Sequence, residues 1–375
     1  MFGLGFGWIF AYWWMLLLEG LVAAGAVGIV ALAAPKLVGG APRSLASLRV
    51  SMVLTALAVF LGGLGLIVGV GEALASYYGA SAGGGMAVGV ALFVAALMIG
   101  QWLFSPYIIN ALYRTRPPAT PLEQSLQVEL ERLARASGLR GVPRLRIAEV
   151  DAPNAFAYGS PLAGSYVAVT RGLLRMAPRE EIVAVLGHEV GHLKHRDVAW
   201  ILALSLIPLA IYYLGRSLIF AGLAGGGGRR EREDAGPLLL VALGAALVAA
   251  GVLFRFMVAH FNRLREYYAD AHSALVTGSP RALQRALARI HLALTGNPRL
   301  ASELAAGGLA SQLFIVAPLI EVSGGFFYDI DSAVEALKRQ EASPLEEVFA
   351  THPPVPKRLR FLDNLARRLA QEYAA

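Results

Sequence analysis

The sequence predicts membrane-crossing α-helices joined to a mostly helical α+β part that carries a small sheet. Three observations predict it. Five apolar stretches, roughly 12–34, 51–72, 86–110, 198–223 and 236–258, reach the length of about 20 residues that a helix needs to cross a bilayer core. The composition of the 375 residues is 56% apolar and 16% charged, with mean hydropathy +0.57. Soluble domains average about 45–50% and about 25%, so this is a membrane composition diluted by a water-facing part. That part is legible as amphipathic segments with helix caps, turn residues and short strand-like runs between and after the apolar stretches.

The elements follow in order. Residues 1–116 read as an N-terminal membrane region with the first three spans. The start, MFGLGFGWIF, lacks a basic n-region, which argues against a cleavable signal peptide. Glu19 falls in the first span, near Trp13 and Trp14; an aromatic belt there would put it one to two turns deep, able to snorkel or face the bundle. Pro117-Pro118 ends the third span. Thr120-Pro121-Leu122-Glu123 then supplies an N-cap, a proline at the first helical position and a capping-box glutamate for a helix running to Gly138. Residues 145–150 and 165–170 read as short strands, with Asn154 to Gly159 extended between them. A helix from about Pro178 is expected to run straight into the fourth span, so residues 117–197 form one part of the polar domain and 198–258 a transmembrane or re-entrant hairpin. The rest, 259–375, completes the domain with a helix around Glu266, one from Pro280 to Thr295 and one from Pro356 to Tyr373. The glycine-rich stretch 306–325 has no assignment.

The most informative residues are His188-Glu189-Val190-Gly191-His192. The apolar spacing around them is helical, and side chains four apart on a helix share a face with Cβ atoms about 5–6 Å apart. His188 and His192 can therefore converge on one Zn²⁺, with Glu189 placed to act as a general base on water. A catalytic zinc usually has three protein ligands. The position ten residues after His188 is Val198, and the only carboxylate between His192 and residue 230 is Asp197. Glu266 and Asp270, spaced i and i+4, form the next candidate pair: one can bind metal while the other supports it from behind. With no cysteine in the chain, disulfides and thiolate ligands are excluded.

HExxH, two apolar segments, then Arg265-Glu266-Tyr267-Tyr268-Ala269-Asp270 resembles the order in HtpX-like membrane zinc metallopeptidases, relatives of the type I CAAX prenyl proteases. Asn154-Ala155-Phe156-Ala157-Tyr158-Gly159 and Thr351-His352-Pro353-Pro354 are similar to two further family stretches. The resemblance runs from about residue 120 to the C-terminus; the three N-terminal spans depart from a commoner plan of two. It implies a zincin-like (gluzincin) catalytic domain holding one Zn²⁺ per chain through His188, His192 and Glu266. Asp270 would orient a ligand histidine, and Asn154 and His352 would hold the substrate backbone or the oxyanion. It also implies cleavage of misfolded or damaged proteins, a stress response, in a prokaryotic inner membrane. Of the other histidines, His195 reads as a polar residue at the membrane edge, and His260, His272 and His291 as structural or exposed.

Lys and Arg placement orients the chain. Lys36, Arg43 and Arg49 follow the first span, Arg114 and Arg116 the third, and Arg255, Arg263 and Arg265 the fifth, which puts the N-terminus outside and the catalytic part in the cytoplasm. Arg229, Arg230 and Arg232 argue the other way for one loop, a conflict that a re-entrant hairpin at 198–258 would resolve. The expected partners are protein or peptide substrates and the bilayer; oligomeric state is not legible. The net charge of +7 is spread over loops and helix ends, which suits anionic headgroups and not nucleic acid. An intramembrane protease is disfavoured by the charged flanks Arg179, Glu180, Glu181, Lys194 and Arg196, and a non-catalytic zinc-binding scaffold by the presence of Glu189. A CAAX-type processing role is the remaining alternative, with fewer spans here to enclose a chamber.

Overall fold

Apolar runs in a bilayer must satisfy every backbone N–H and C=O internally, so they form long helices. The computed structural model describes residues 3–37, 45–78, 80–195, 197–225, 236–297, 299 and 329–374. Three helices come first: α1 (Gly3–Leu37), α2 (Leu45–Tyr78) and α3 (Ala80–Leu112). The polar part follows with α4 (Pro121–Ala136), β1 (Arg144–Ala148), β2 (Ala155–Ser160), β3 (Gly164–Thr170), α5 (Arg171–Met176) and α6 (Arg179–Lys194). Next are α7 (Asp197–Gly225), α8 (Gly236–Thr277) and α9 (Pro280–Thr295), and last α10 (Ile330–Lys338), α11 (Pro344–Phe349) and α12 (Val355–Ala374). Among the described residues four stretches are long and apolar enough to cross a membrane: Leu45–Leu74, Ala95–Leu112, Trp200–Ala224 and Gly236–Thr277. Helix α1 carries a shorter apolar run, Trp14–Val30.

The chain divides into two compact units. The first comprises Met1–Leu37, Leu54–Ile99 and Leu202–Val258. Its helices approach through small residues. A Cβ on Gly215 would stand 2.7 Å from the Gly244 carbonyl oxygen, and one on Gly244 2.5 Å from that of Gly215, so α7 and α8 touch backbone to backbone. Glu19 faces the bundle, 3.1 Å from the Tyr212 hydroxyl that donates to it and 3.6 Å from Arg216 Nε.

The second unit comprises Val38–Val53, Gly100–Ile201 and Ala259–Ala375. Thr120 and Glu123 close the capping box that the sequence predicts at the start of α4. Arg116 binds both Glu123 and Glu149, and its guanidinium holds the Glu123 carboxyl down at about 2. The sheet order is β1-β3-β2, with β1 parallel and β2 antiparallel to β3, so β2 is an edge strand. Leu145, Ile147, Val167 and Val169 on one face join the core with Ile182, Val185, Leu186 and Val190 of α6 and Leu283, Leu287 and Ile290 of α9.

Three expectations are corrected. Helix α6 does not run on into the fourth apolar stretch: it ends at Lys194, His195 caps it with φ −90° and ψ 4°, and α7 opens at Asp197, an acid that suits a helix N-terminus. The fifth apolar stretch and the Glu266 segment are not separate helices; α8 is one helix of 42 residues, because backbone hydrogen bonding continues through the change from apolar to polar side chains. Helices α10 and α11 fall where none was expected. Stretch 306–325 and the loop arginines Arg229, Arg230 and Arg232 lie outside the described residues.

Candidate metal centre

Helix α6 reaches the site on glycines. A Cβ on Gly187 would lie 2.9 Å from Thr277 Cγ2 and 3.1 Å from Ser273 Oγ; one on Gly191 would lie 3.2 Å from Ala269 Cα and 3.1 Å from His272 Cβ. The two glycines, one turn apart, admit the backbone of α8, and the Ser273 hydroxyl pins the crossing by donating to the Ala184 carbonyl at 2.6 Å. At the other end of α6, Arg289 clasps buried Glu181 through two bonds of 2.8 and 2.9 Å. The crossing brings the face bearing His188 and His192 onto the face bearing Glu266 and Asp270.

The atoms there form a small triangle. His188 Nε2 and His192 Nε2 are 3.0 Å apart, and they lie 3.5 and 3.4 Å from Glu266 Oε2 and Oε1. Donors bound to a tetrahedral zinc at about 2.0–2.1 Å stand about 3.3 Å from one another, so the spacing fits a cation of that size. The Glu189 carboxylate joins the same cluster, with ligand atoms of His188, Glu189 and His192 all within 4.8 Å. His352 Nδ1 comes within 3.4 Å of Glu266 Oε2. Among the described residues that Oε2 is buried and receives no hydrogen bond, with Arg358 Nη1 3.6 Å away, so it keeps a lone pair for a further cation.

Behind the triangle, His188 Nδ1 lies 3.0 Å from Asp270 Oδ1, which leaves Nε2 to face Glu266. Arg358 in turn holds Asp270, with Nη2 2.6 Å from Oδ1 and Nε 2.8 Å from Oδ2. Burial pushes the His188 imidazole down, but Asp270 and Glu266 outweigh it and lift it to about 9. Burial likewise works against charge on Glu266, yet His352, His192 and His188 hold it well below the usual carboxylate range. Asp270 is also held low, against burial, by Arg358 and His188. The groups behind the triangle are thus sealed from solvent, with His188, Glu266, Asp270 and Arg358 at most 1% exposed, while the His192 side chain keeps 12% exposure.

Of the residues the sequence singles out, the structure brings together His188, Glu189, His192, Glu266, Asp270 and His352. Asn154 is buried just before β2, with its backbone tied to Thr170, and β2 packs on α6. His195 and His272 lie in edge contact, His195 on Tyr268 at 4.2 Å, with His272 Nε2 2.8 Å from Ser137 Oγ. Sequence reasoning missed Arg358 and Arg263. Arg263 donates to the carbonyls of Val348 and Ala350 at 3.3 and 2.8 Å, just ahead of the Thr351-His352-Pro353-Pro354 turn. The available signal for Arg358 is its place on the apolar face of α12 with Val355, Leu362 and Leu365.

Apolar helices joined to a buried His-Glu-His cluster facing a second helix define a membrane-embedded metallopeptidase. The chain belongs to peptidase family M48, whose model matches residues 121–366. It is 59% identical over 319 residues to Protease HtpX homolog of Aeropyrum pernix, spanning 85% of this chain and 98% of that one. It is 39% identical over 326 residues to Protease HtpX homolog 2 of Saccharolobus solfataricus, again over 85% and 98%. Among solved structures, that of S. mikatae Ste24p superposes with a TM-score of 0.49 at 16% identity, over 84% of this chain and 65% of that one. The chain is therefore an HtpX-type membrane metalloprotease acting on proteins or peptides.

Proposed function

We propose that the chain is a zinc endopeptidase of membrane-protein quality control, with one Zn²⁺ held by His188, His192 and Glu266. The observation that carries this is the 3.0–3.5 Å triangle of their donor atoms with Glu189 beside it. Zinc there would supply Lewis-acid polarisation of the scissile carbonyl and bring the pKa of water to about 7. Glu189 takes the proton from the attacking water and passes it to the leaving amine. Asp270, braced by Arg358, fixes the His188 ring through Nδ1. By the family resemblance, His352 and Asn154 would hold the peptide backbone or the developing oxyanion, and edge strand β2 would pair with an extended substrate, which gives loose sequence preference. Breadth of that kind suits misfolded or damaged proteins in a cell membrane. The arginines after α3 and in α8 support a cytoplasmic catalytic side.

The test is detergent-purified protein assayed for zinc content and casein cleavage. Glu189→Gln should keep its zinc and lose nearly all cleavage, while Glu266→Ala should lose the zinc. Cleavage by Glu189→Gln above a few per cent of wild type would remove Glu189 as the base. Turnover confined to C-terminal prenylated peptides would replace quality control with a processing role.

A further inference from the structure

The sheet has a second face, away from α6. It carries Phe156, Tyr158, Tyr166 and Ala168, packed in part by Tyr113 and Ile109 at the end of α3. Helix α3 lies along β2: the Tyr158 hydroxyl donates to Asn110 Oδ1 at 2.6 Å, and the Ser160 hydroxyl to the Leu103 carbonyl at 3.0 Å. Pro106 opens the helix ladder here because it has no N–H. Ser105 takes up the Trp102 carbonyl at 3.0 Å, and Ser160 reaches Leu103.

The depth of these contacts matters. Ala95–Leu112 is a candidate membrane span, and Phe104, Tyr107 and Ile108 on it are exposed apolar side chains. Leu103 lies nine residues from the Leu112 end of α3, in the part from Gly100 on that belongs to the catalytic unit, so these contacts lie toward the surface end of the helix. Strand β2 runs beside this end of α3, and the turn after Ser160 comes level with Leu103. Both backbone groups of Ala163 in the turn are satisfied by side chains. The Ala163 N–H donates to Ser160 Oγ at 3.2 Å, and its carbonyl accepts from Arg144 Nη2 at 2.9 Å. Its tip, Leu162, is 61% exposed. Arg144 and Arg146 lie over the Tyr166 ring at 4.8 and 5.5 Å, and neither forms an ion pair among the described residues.

We propose that the β2–β3 turn is a lipid anchor of the catalytic unit: Leu162 enters the acyl-chain boundary, and Arg144 and Arg146, held flat on Tyr166, bind the phosphates of anionic headgroups. The anchor holds edge strand β2 at the bilayer surface. Charge complementarity and continuity with the apolar surface of α3 favour lipid as the occupant over a second protein.

The chain has no cysteine, so Leu162→Cys can carry one nitrobenzoxadiazole label on the full-length protein. In vesicles of phosphatidylcholine and phosphatidylglycerol, brominated lipids should quench the label while aqueous iodide does not. Free quenching by iodide with no effect of brominated lipid would overturn the proposal, as would shielding from both, which would mean protein covers the turn. Brominated phosphatidylglycerol should quench more strongly than brominated phosphatidylcholine at equal mole fraction. That preference should fall by up to about fivefold per arginine in Arg144→Glu/Arg146→Glu, or in the Gln pair if the Glu pair does not fold. An unchanged preference in the folded variant would remove the headgroup role. Casein cleavage by the labelled protein in detergent reports the catalytic reading separately.

Discussion

Arg358 lies flat against Asp270, joined by two hydrogen bonds of 2.6 and 2.8 Å, with both side chains fully buried. Asp270 meets His188 at 3.0 Å, so the chain of contacts Arg358–Asp270–His188 ends on a proposed metal ligand. Replacing Arg358 with Met leaves an uncompensated buried carboxylate, a change that costs about 3–5 kcal/mol. Metal affinity should fall about 10–100-fold because the His188 ring is no longer fixed. Arg358→Lys should recover part of the stability but little of the affinity, since one ammonium cannot make both bonds. Chelator competition and thermal unfolding of the purified variants check this; wild-type zinc affinity in Arg358→Met would refute the link.

The close crossing of α6 and α8 gives a second prediction. Alanine normally stabilises a helix interior by about 0.5–1 kcal/mol over glycine. At Gly187 and Gly191 the new methyl would meet atoms at 2.9 and 3.1 Å, and overpacking costs about 1–3 kcal/mol. Each Gly→Ala change should therefore destabilise the protein by about 1 kcal/mol net. Activity should fall further, by up to about 10²-fold, because the ligand face is pushed off Glu266. Stability and turnover of the two variants are the measurement, and a gain in stability at Gly187 would show that the helices part freely.

The legible and illegible parts of the chain differ for physical reasons. His188 and His192 are legible as a pair because i,i+4 spacing on an apolar-periodic helix survives as pattern; the same spacing finds Glu266 and Asp270 only as a pair, and the family resemblance is what prefers Glu266 as the donor. The capping box at Thr120 is equally local and equally visible. For Arg358 a place on the apolar face of α12 hints at burial, but its role is not legible until Asp270, 88 positions earlier, is found opposite it. The glycines of α6 carry no signal in the sequence analysis, and the partner backbone explains them. The continuity of α8 was hidden because its side chains change character at Val258, while helix geometry is set by a backbone that does not.

His291 supplies a pH prediction. It is buried on α9, and loss of hydration alone lowers its imidazole to about 4 from the ordinary 6.5. The unfolded chain binds this proton below pH 6.5 and the folded chain does not until about pH 4, so the group removes stability as pH falls through that window. The loss attributable to it approaches about 3 kcal/mol at the acid end. His291→Leu should flatten the stability curve between pH 6.5 and 4 relative to wild type, with little change at pH 8. Parallel curves for the two proteins would show that His291 titrates normally.

The last prediction concerns His352, whose Nδ1 stands 3.4 Å from Glu266 Oε2 although 86 residues separate them. It is held there from two sides. Arg263 grips the carbonyls of Val348 and Ala350 ahead of it, and Pro353-Pro354 restrict the backbone behind it. From this position the imidazole can act in two ways. It can fill the remaining coordination position at rest, as a gate that substrate displaces, or it can donate to the oxyanion during attack, a contact worth about 2.7–4 kcal/mol. The two roles have opposite signs in one variant: His352→Ala should raise turnover if the residue is a gate, and lower it about 10²–10³-fold if it is a donor. Arg263→Met separates position from chemistry. Freed from its tether, the turn should change turnover in the same direction as His352→Ala but by less. Wild-type turnover in His352→Ala with a lowered unfolding temperature would leave the residue only a structural part.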